Sequence, residues 1–220
     1  MTPEQLPAFL EGLDESWAGL SLTMPLKAAV LPLLSSASDL VEQVAAANTV
    51  LLPARRGENT DVAGMVAALA ESGVTSVRRA VVLGGGATAR SALAALAQLG
   101  CGDVVLVVRS SPDETLAAAE RLGVTPSVQE WSPEILAWPD LLVSTLPRGA
   151  ADRFAPYVRD VPALLDVVYD PWPTPIAAAC GGRVISGGAM LLHQAAAQVE
   201  LMTGRKPPLE AMRAALKQPG

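Results

Sequence analysis

Apolar residues recur at helical spacing over 3–13 (PEQLPAFLEGL) and then bunch into an extended segment at 17–23 (WAGLSLT). The next stretch, MPLKAAVLPLLSS, reads as a loop running into a helix, since Pro25 is tolerated in a first turn and Pro32 limits or bends that helix. VAAANTVLLPARRGENTD reads as strand, turn and loop, and it brings Asn48 and then Asn59, Thr60 and Asp61 to one region. A helical period over 61–72 leads through Gly73 into RRAVVLGGGATARSALAALAQLG. There the pattern changes from an unbroken apolar run, suited to a strand buried on both faces, to a helix that begins inside the glycines.

Downstream come a strand at DVVLVVRS, a helix at TLAAAERLG, a weak strand near VTPSVQEW, and strands at DLLVSTLP, ALLDVVYDP and GRVISGG. AMLLHQAAAQVELMTG and LEAMRAALKQ read as two closing helices. Strands alternating with helices at crossover spacing predict a mostly parallel sheet. The fold class is therefore α/β: a Rossmann-type parallel-sheet domain over 65–187, plus a smaller, incomplete α/β domain formed by both chain ends, 1–64 with 188–220.

Composition narrows the function. A hydrophobic fraction of 50% over 220 residues supplies a sizeable core. The apolar runs fall short of the roughly 18–20 residues a bilayer demands, and acids occupy the N-terminal stretch where a signal peptide carries basic residues, so a cytoplasmic protein is expected. A net charge of -6 without a basic stripe argues against nucleic acid. Cys101 and Cys180 lack CxxC spacing and read as small core residues, and the single His193 and scattered acids predict no metal. A small-molecule partner is expected.

Gly84-Gly85-Gly86-Ala87-Thr88-Ala89 fits G-x-G-x-x-A between a strand and a helix. The first glycine permits the tight turn, the second lets a pyrophosphate approach the backbone, and Ala89 allows close helix packing. The helix start then offers free N–H groups to phosphate. At the end of the next strand, where an NAD-binding chain carries an acid, stand Arg109, Ser110 and Ser111. A guanidinium there suits a 2'-phosphate, so NADP is the expected cofactor and NAD the alternative. Outside this unit, Lys27 follows a proline-led turn with Thr23, and Asp61 follows a polar loop. Lysine and a carboxylate can together handle the proton of an alcohol during hydride transfer, although each alone also suits an ordinary helix start.

Read together, GLSLTMPLK, AANTV, GENTDVAG, GGGATAR, VSTLPRG, DVVYDPWPTP and GGAMLLHQAAAQVELMTG resemble, in order, the motifs of the shikimate dehydrogenase family over essentially the whole chain. The resemblance implies reversible NADP-linked reduction of 3-dehydroshikimate to shikimate on the chorismate route. It carries the proton-transfer pair onto Lys27 and Asp61, and substrate contacts onto Thr23, Asn48, Tyr169 and Gln194. It places Gly84, Gly85, Gly86, Ala87, Arg109, Ser110, Thr145, Gly188 and Met190 at the cofactor. His193 reads first as a packing residue.

Some features depart from that family's pattern. Its members begin with a strand and a Ser-x-Ser loop that holds the substrate carboxylate, and the chain starts after that point, about forty residues later on typical element lengths. A substrate domain without its first strand, and a homodimer joined at the exposed edge, are therefore expected. Ser21-Leu22 stands in place of Asn-Val, and after Arg109 a second basic residue is missing while Asp113 lies nearby. Dehydrogenation of quinate or a related ring acid, and a nucleotide-binding protein with little activity, are the alternative functions.

Overall fold

The computed structural model describes residues 1–216. Positions 217 and 218 of the expected last helix, and the expected domain end at 220, lie outside the described residues.

The N-terminal part opens with a 3-10 turn, Pro3–Gln5, and α1 (Leu6–Glu11), then β1 (Gly19–Ser21). The strand expected over 17–23 is confined to three residues, because Leu26 N–H donates to the Thr23 carbonyl at 2.8 Å and folds the chain into a turn. α2 (Leu26–Ala29) is short, and a 3-10 turn through Pro32 (Leu31–Leu33) ends it. β2 (Ser36–Ala37), α3 (Asp39–Val44), β3 (Thr49–Leu51) and β4 (Arg56–Glu58) come next. The pattern of apolar positions does not predict α3, which has fewer than two turns. Its start is nonetheless marked: Ser38 Oγ accepts from Val41 N–H at 3.4 Å, and Asp39 and Glu42 lie in the first turn. The sheet runs β1-β3-β4-β2, antiparallel except for β2 beside β4. Leu6, Leu10, Leu20, Val30, Val41 and Val50 form its core.

The second part begins with α4 (Asp61–Glu71), then β5 (Arg79–Leu83), α5 (Ala87–Gln98), β6 (Asp103–Val107), α6 (Asp113–Arg121) and β7 (Ser127–Gln129). β8 (Leu141–Ser144), β9 (Ala163–Asp166), α7 (Pro175–Ala179), β10 (Arg183–Ser186), α8 (Gly187–Thr203) and α9 (Leu209–Leu216) complete it. The six strands lie in the order β10-β9-β8-β5-β6-β7, every pair parallel. The unbroken apolar runs are explained by burial on both faces. Val82, Val143 and Leu165 join the core beneath α4, α5 and α8, while Val81, Leu142 and Leu164 join the one beneath α7. The strands expected to reach 110, 147 and 171 stop at Val107, Ser144 and Asp166, since Val107 and Ser144 pair with Leu83, the last residue of β5 before Gly84 turns the chain, and Asp166 pairs with Ser144.

Strand order reverses at β5, whose neighbours β6 and β8 run on to opposite edges, so the crevice for a ligand lies beyond the C-terminal end of β5. Two features set the smaller sheet against that crevice. α4 and α8 lie close together because Gly64 has no side chain: a Cβ there would stand 2.8 Å from Gln194 Cβ and 2.9 Å from the Met190 carbonyl. Arg90, 3% exposed on α5, donates from Nε to the Val44 carbonyl at 2.7 Å and from Nη2 to the Ala45 carbonyl at 3.0 Å, and pairs with Glu114 at 2.9 Å. It thereby caps the C-terminus of α3, where Ala45 takes a left-handed φ of 50° that costs a non-glycine residue about 1 kcal/mol. Arg90→Ala is expected to destabilise by about 3 kcal/mol and lower Tm by about 6–12 °C. A thermal scan showing no change in Tm contradicts this role.

Candidate active site

The centre of the crevice is an ion pair between side chains 34 residues apart in sequence: Lys27 Nζ donates to Asp61 Oδ2 at 2.6 Å. The proline-led turn places Lys27 on α2 facing the first residue of α4, and the two side chains are 13% and 4% exposed. The lysine therefore keeps a narrow opening to the cleft, and the carboxylate beside it is almost fully buried at the cleft wall. An ammonium has three donors, and one is spent on Asp61, which leaves others for a ligand oxygen.

A buried amide network fixes the carboxylate. Asn48 Nδ2 lies 3.0 Å from Asp61 Oδ1, 2.8 Å from Thr60 Oγ1 and 3.0 Å from Gln194 Oε1, while its Oδ1 accepts from Thr60 N–H at 2.8 Å and from the Thr49 hydroxyl at 2.8 Å. Asp61 N–H donates to Asn59 Oδ1 at 3.0 Å. Asn48, expected at the substrate, is only 1% exposed and stands one step behind the cleft, where it orients Asp61 and Gln194. Gln198 on α8 closes the network from below, donating to the Asn48 carbonyl at 3.0 Å and to Thr49 Oγ1 at 2.9 Å.

Lys27 and Asp61 share a cleft of about 340 Å³ with Thr23, Tyr169, Met190 and Gln194. Ser21, Thr88, Val167 and Gly187 also line it, and sequence reasoning assigned none of these four to the site. Tyr169 is 54% exposed, so its phenol is free to meet a ligand. It rides on the loop 167–173, whose base is tied by Asp166: Oδ2 accepts from the Thr174 hydroxyl at 2.7 Å and Oδ1 from Val168 N–H at 3.3 Å. Burial pushes the Asp166 carboxyl above the ordinary carboxylate range, and its hydrogen bonds to Thr174 and Val168 only partly oppose that. Gly188 lies beside Tyr169 in the first turn of α8, with its hypothetical Cβ 3.7 Å from Tyr169 Cβ.

On the other side of Thr88 lies the glycine loop. Gly84 has φ +110°, and a Cβ on it would come within 2.5 Å of Thr145 Oγ1, which donates to the Leu83 carbonyl at 2.8 Å. Gly84 is thus required both by its backbone and by the close approach of the loop after β8. Gly86 caps α5 without a side chain, and a Cβ there would meet nothing within 4 Å, so Gly86 and Ala87 present an open backbone at a helix start. A second cleft of about 380 Å³ extends from Gly84 and Gly85 to Arg109, Ser110 and Ser111. The chemistry of this arrangement, open backbone N–H groups at a helix start and a guanidinium beyond them, fits a phosphate-bearing dinucleotide. Thr145 lies between the two clefts, lining a hollow with Thr88 and Tyr169.

His193 is more than a packing residue: its Nε2 stands 2.8 Å from Glu71 Oε2, and Arg213 on α9 reaches the other oxygen of Glu71 at 2.8 Å, linking α4, α8 and α9. The hydrogen bond from His193 is the first cause holding the Glu71 carboxyl below its ordinary range. Burial raises the thiols of Cys101 and Cys180, which are free, in keeping with small core residues.

Two family models match the chain: the shikimate dehydrogenase substrate binding domain over residues 1–50, and the shikimate 5'-dehydrogenase C-terminal domain over residues 189–217. The NADP(+) shikimate dehydrogenase of Moorella thermoacetica is 34% identical, the match covering 98% of this chain and 80% of that protein. The crystal structure of the Mycobacterium tuberculosis shikimate dehydrogenase superimposes with a TM-score of 0.90 at 39% identity, over 98% of this chain and 85% of that one. That of the Thermus thermophilus enzyme, in complex with NADP(H) and shikimate, superimposes with a TM-score of 0.84 at 32% identity, over 99% and 85%. With the Lys27–Asp61 pair beside a glycine-loop crevice and relatives of this identity along nearly all its length, the chain belongs to the shikimate dehydrogenase family.

Proposed function

We propose that this protein is an NADP-dependent shikimate dehydrogenase that reversibly reduces 3-dehydroshikimate to shikimate, with 1–64 and 188–220 forming the substrate domain and 65–187 the NADP domain. The observation that carries the reading is the Lys27–Asp61 pair at 2.6 Å in a cleft adjoining the glycine loop. NADP, when bound, supplies or accepts the hydride. In the direction of reduction, the carbonyl oxygen of the ring acid needs one proton as the hydride reaches its carbon, and Lys27 Nζ delivers it. In the reverse direction Lys27 removes the hydroxyl proton as the C–H bond breaks. Asp61 holds the ammonium aimed at that oxygen and balances its charge. Thr23, Tyr169 and Gln194 supply hydroxyl, phenol and amide partners for the ring hydroxyls. Asn48 orients Asp61 and Gln194. Gly84 to Ala87 seat the pyrophosphate, Arg109 and Ser110 take the adenosine end, and Thr145, Gly188 and Met190 border the nicotinamide.

The test follows reduced-nicotinamide absorbance for shikimate and quinate, each with NADP and NAD. Shikimate with NADP is expected to give the highest kcat/KM. Faster turnover of quinate reassigns the ring acid, and tight NADP binding without turnover on either substrate overturns the enzymatic reading. Among the described residues no helix is long and apolar enough to cross a membrane, and the reading takes the enzyme to be cytoplasmic. It also takes β1, which pairs only with β3 among the described residues, as the edge of a homodimer. Sedimentation that returns a monomer at every concentration overturns the dimer.

A further inference from the structure

The adenosine end of the cofactor cleft poses a charge problem. A 2'-phosphate brings about two negative charges, and the loop after β6 meets it with one cation, Arg109, ahead of two acids, Asp113 and Glu114, in the first turn of α6. Both acids are occupied: the Ser111 hydroxyl donates to Asp113, and Arg90 Nη1 donates to Glu114 Oε2 at 2.9 Å. Neither lines the cleft. The only two charged residues among the described residues lining it are Arg109 and Arg153.

Arg153 comes from a different element, the 3-10 turn Asp152–Tyr157 that follows β8. Because β6 and β8 flank β5, the loops after them form two walls of the cleft with the glycine loop as its floor. The Arg153 guanidinium lies 4.6 Å from the ring centroid of Phe154, which is 1% exposed, so an otherwise mobile surface side chain rests on a fixed platform. We propose that Arg153 is the second guanidinium of the cofactor site, binding the 2'-phosphate from the wall opposite Arg109 and setting the preference for NADP over NAD. The inference rests on the NADP assignment of the preceding subsection. It answers the missing second basic residue after Arg109: the charge is supplied across the cleft instead of along the chain that follows β6. Two planar guanidiniums on opposite sides can each form paired hydrogen bonds with phosphate oxygens, which a 2'-hydroxyl cannot reciprocate.

The test is calorimetric titration of the full chain and its Arg153→Ala and Arg153→Lys variants with NADP+, NAD+, 2',5'-ADP and 5'-AMP. Arg153→Ala is expected to weaken NADP+ and 2',5'-ADP about tenfold, the effect of one exposed charge-assisted contact, while NAD+ and 5'-AMP change by less than about twofold. Arg153→Lys is expected to recover part of the loss, and Tm is expected to stay at the wild-type value in both variants. Equal weakening of all four ligands would mean that Arg153 stacks on adenine or supports the fold, and overturns the proposal. So does unchanged binding of NADP+. A wild-type chain that binds NAD+ more tightly than NADP+ overturns the cofactor assignment itself, and that failure is visible without any variant.

Discussion

Lys27→Ala is expected to lower kcat for shikimate oxidation by about 10³-fold, with KM moving by less than about threefold, the pattern of a group whose contribution is made in the transition state. The geometry requires this: Lys27 Nζ is the proton-carrying group that both faces the cleft and is held by a buried carboxylate. Asp61→Asn keeps the shape of the partner and an acceptor for the ammonium but removes its charge, and is expected to cost about 10²-fold in kcat. Because the two act as a unit, the double variant Lys27→Ala/Asp61→Asn falls short of the product of the single losses. Removing Lys27 alone also leaves Asp61, 4% exposed, without its counter-charge. Some loss of stability accompanies the kinetic loss, so unfolding curves are measured beside the rates. Stopped-flow or steady-state absorbance decides the matter: a Lys27→Ala enzyme that is folded and retains more than about a tenth of wild-type kcat removes the lysine from the proton-transfer step.

The glycine loop was legible because two independent signs meet there, an apolar run without alternation and a helical period starting inside the glycines. The sheet shows why both were needed: Val81 and Val82 face opposite cores, so the run has no polar face. The Lys27–Asp61 pair was legible only through its resemblance to known motifs. Nothing in a spacing of 34 residues encodes a contact that depends on a turn at Pro25, the start of α4 and a sheet between them. Arg153 was invisible for the same reason. It reaches the cleft beside Arg109 because strand order, not sequence order, sets the loop after β8 beside the glycine loop. α3 was missed on different grounds: six residues supply too few apolar repeats to reveal a period, and only the cap at Ser38 announced it. Asn48 illustrates a limit of residue-type reasoning. An amide in a polar motif suggests a ligand contact, and residue type alone does not reveal that its Nδ2 also lies within hydrogen-bond distance of Asp61, Thr60 and Gln194.

Asp166→Ala is expected to destabilise the protein by about 3 kcal/mol, through the buried Thr174 hydroxyl and the half-buried Val168 N–H that it leaves without a partner. The same change unties the loop that carries Tyr169, so KM for the ring acid rises more than kcat falls. The conservative variant separates these effects from the charge of the carboxyl. Burial raises the Asp166 carboxyl above its unfolded value, so between the two values the folded chain holds a proton that the unfolded chain has released. The stability this group contributes is fully present below the unfolded value and is lost as pH rises through the folded one. Asp166→Asn is neutral at every pH and keeps an acceptor for Val168 N–H. Its stability relative to wild type therefore improves as pH climbs from the ordinary carboxylate range through the raised one, then stays level. Urea unfolding of wild type, Asp166→Ala and Asp166→Asn across that window tests the assignment. If the difference between wild type and Asp166→Asn is the same at every pH, the carboxyl is not held protonated by burial. If Asp166→Asn loses as much stability and raises KM as much as Asp166→Ala, the hydrogen-bonded tie is not what shapes the Tyr169 loop.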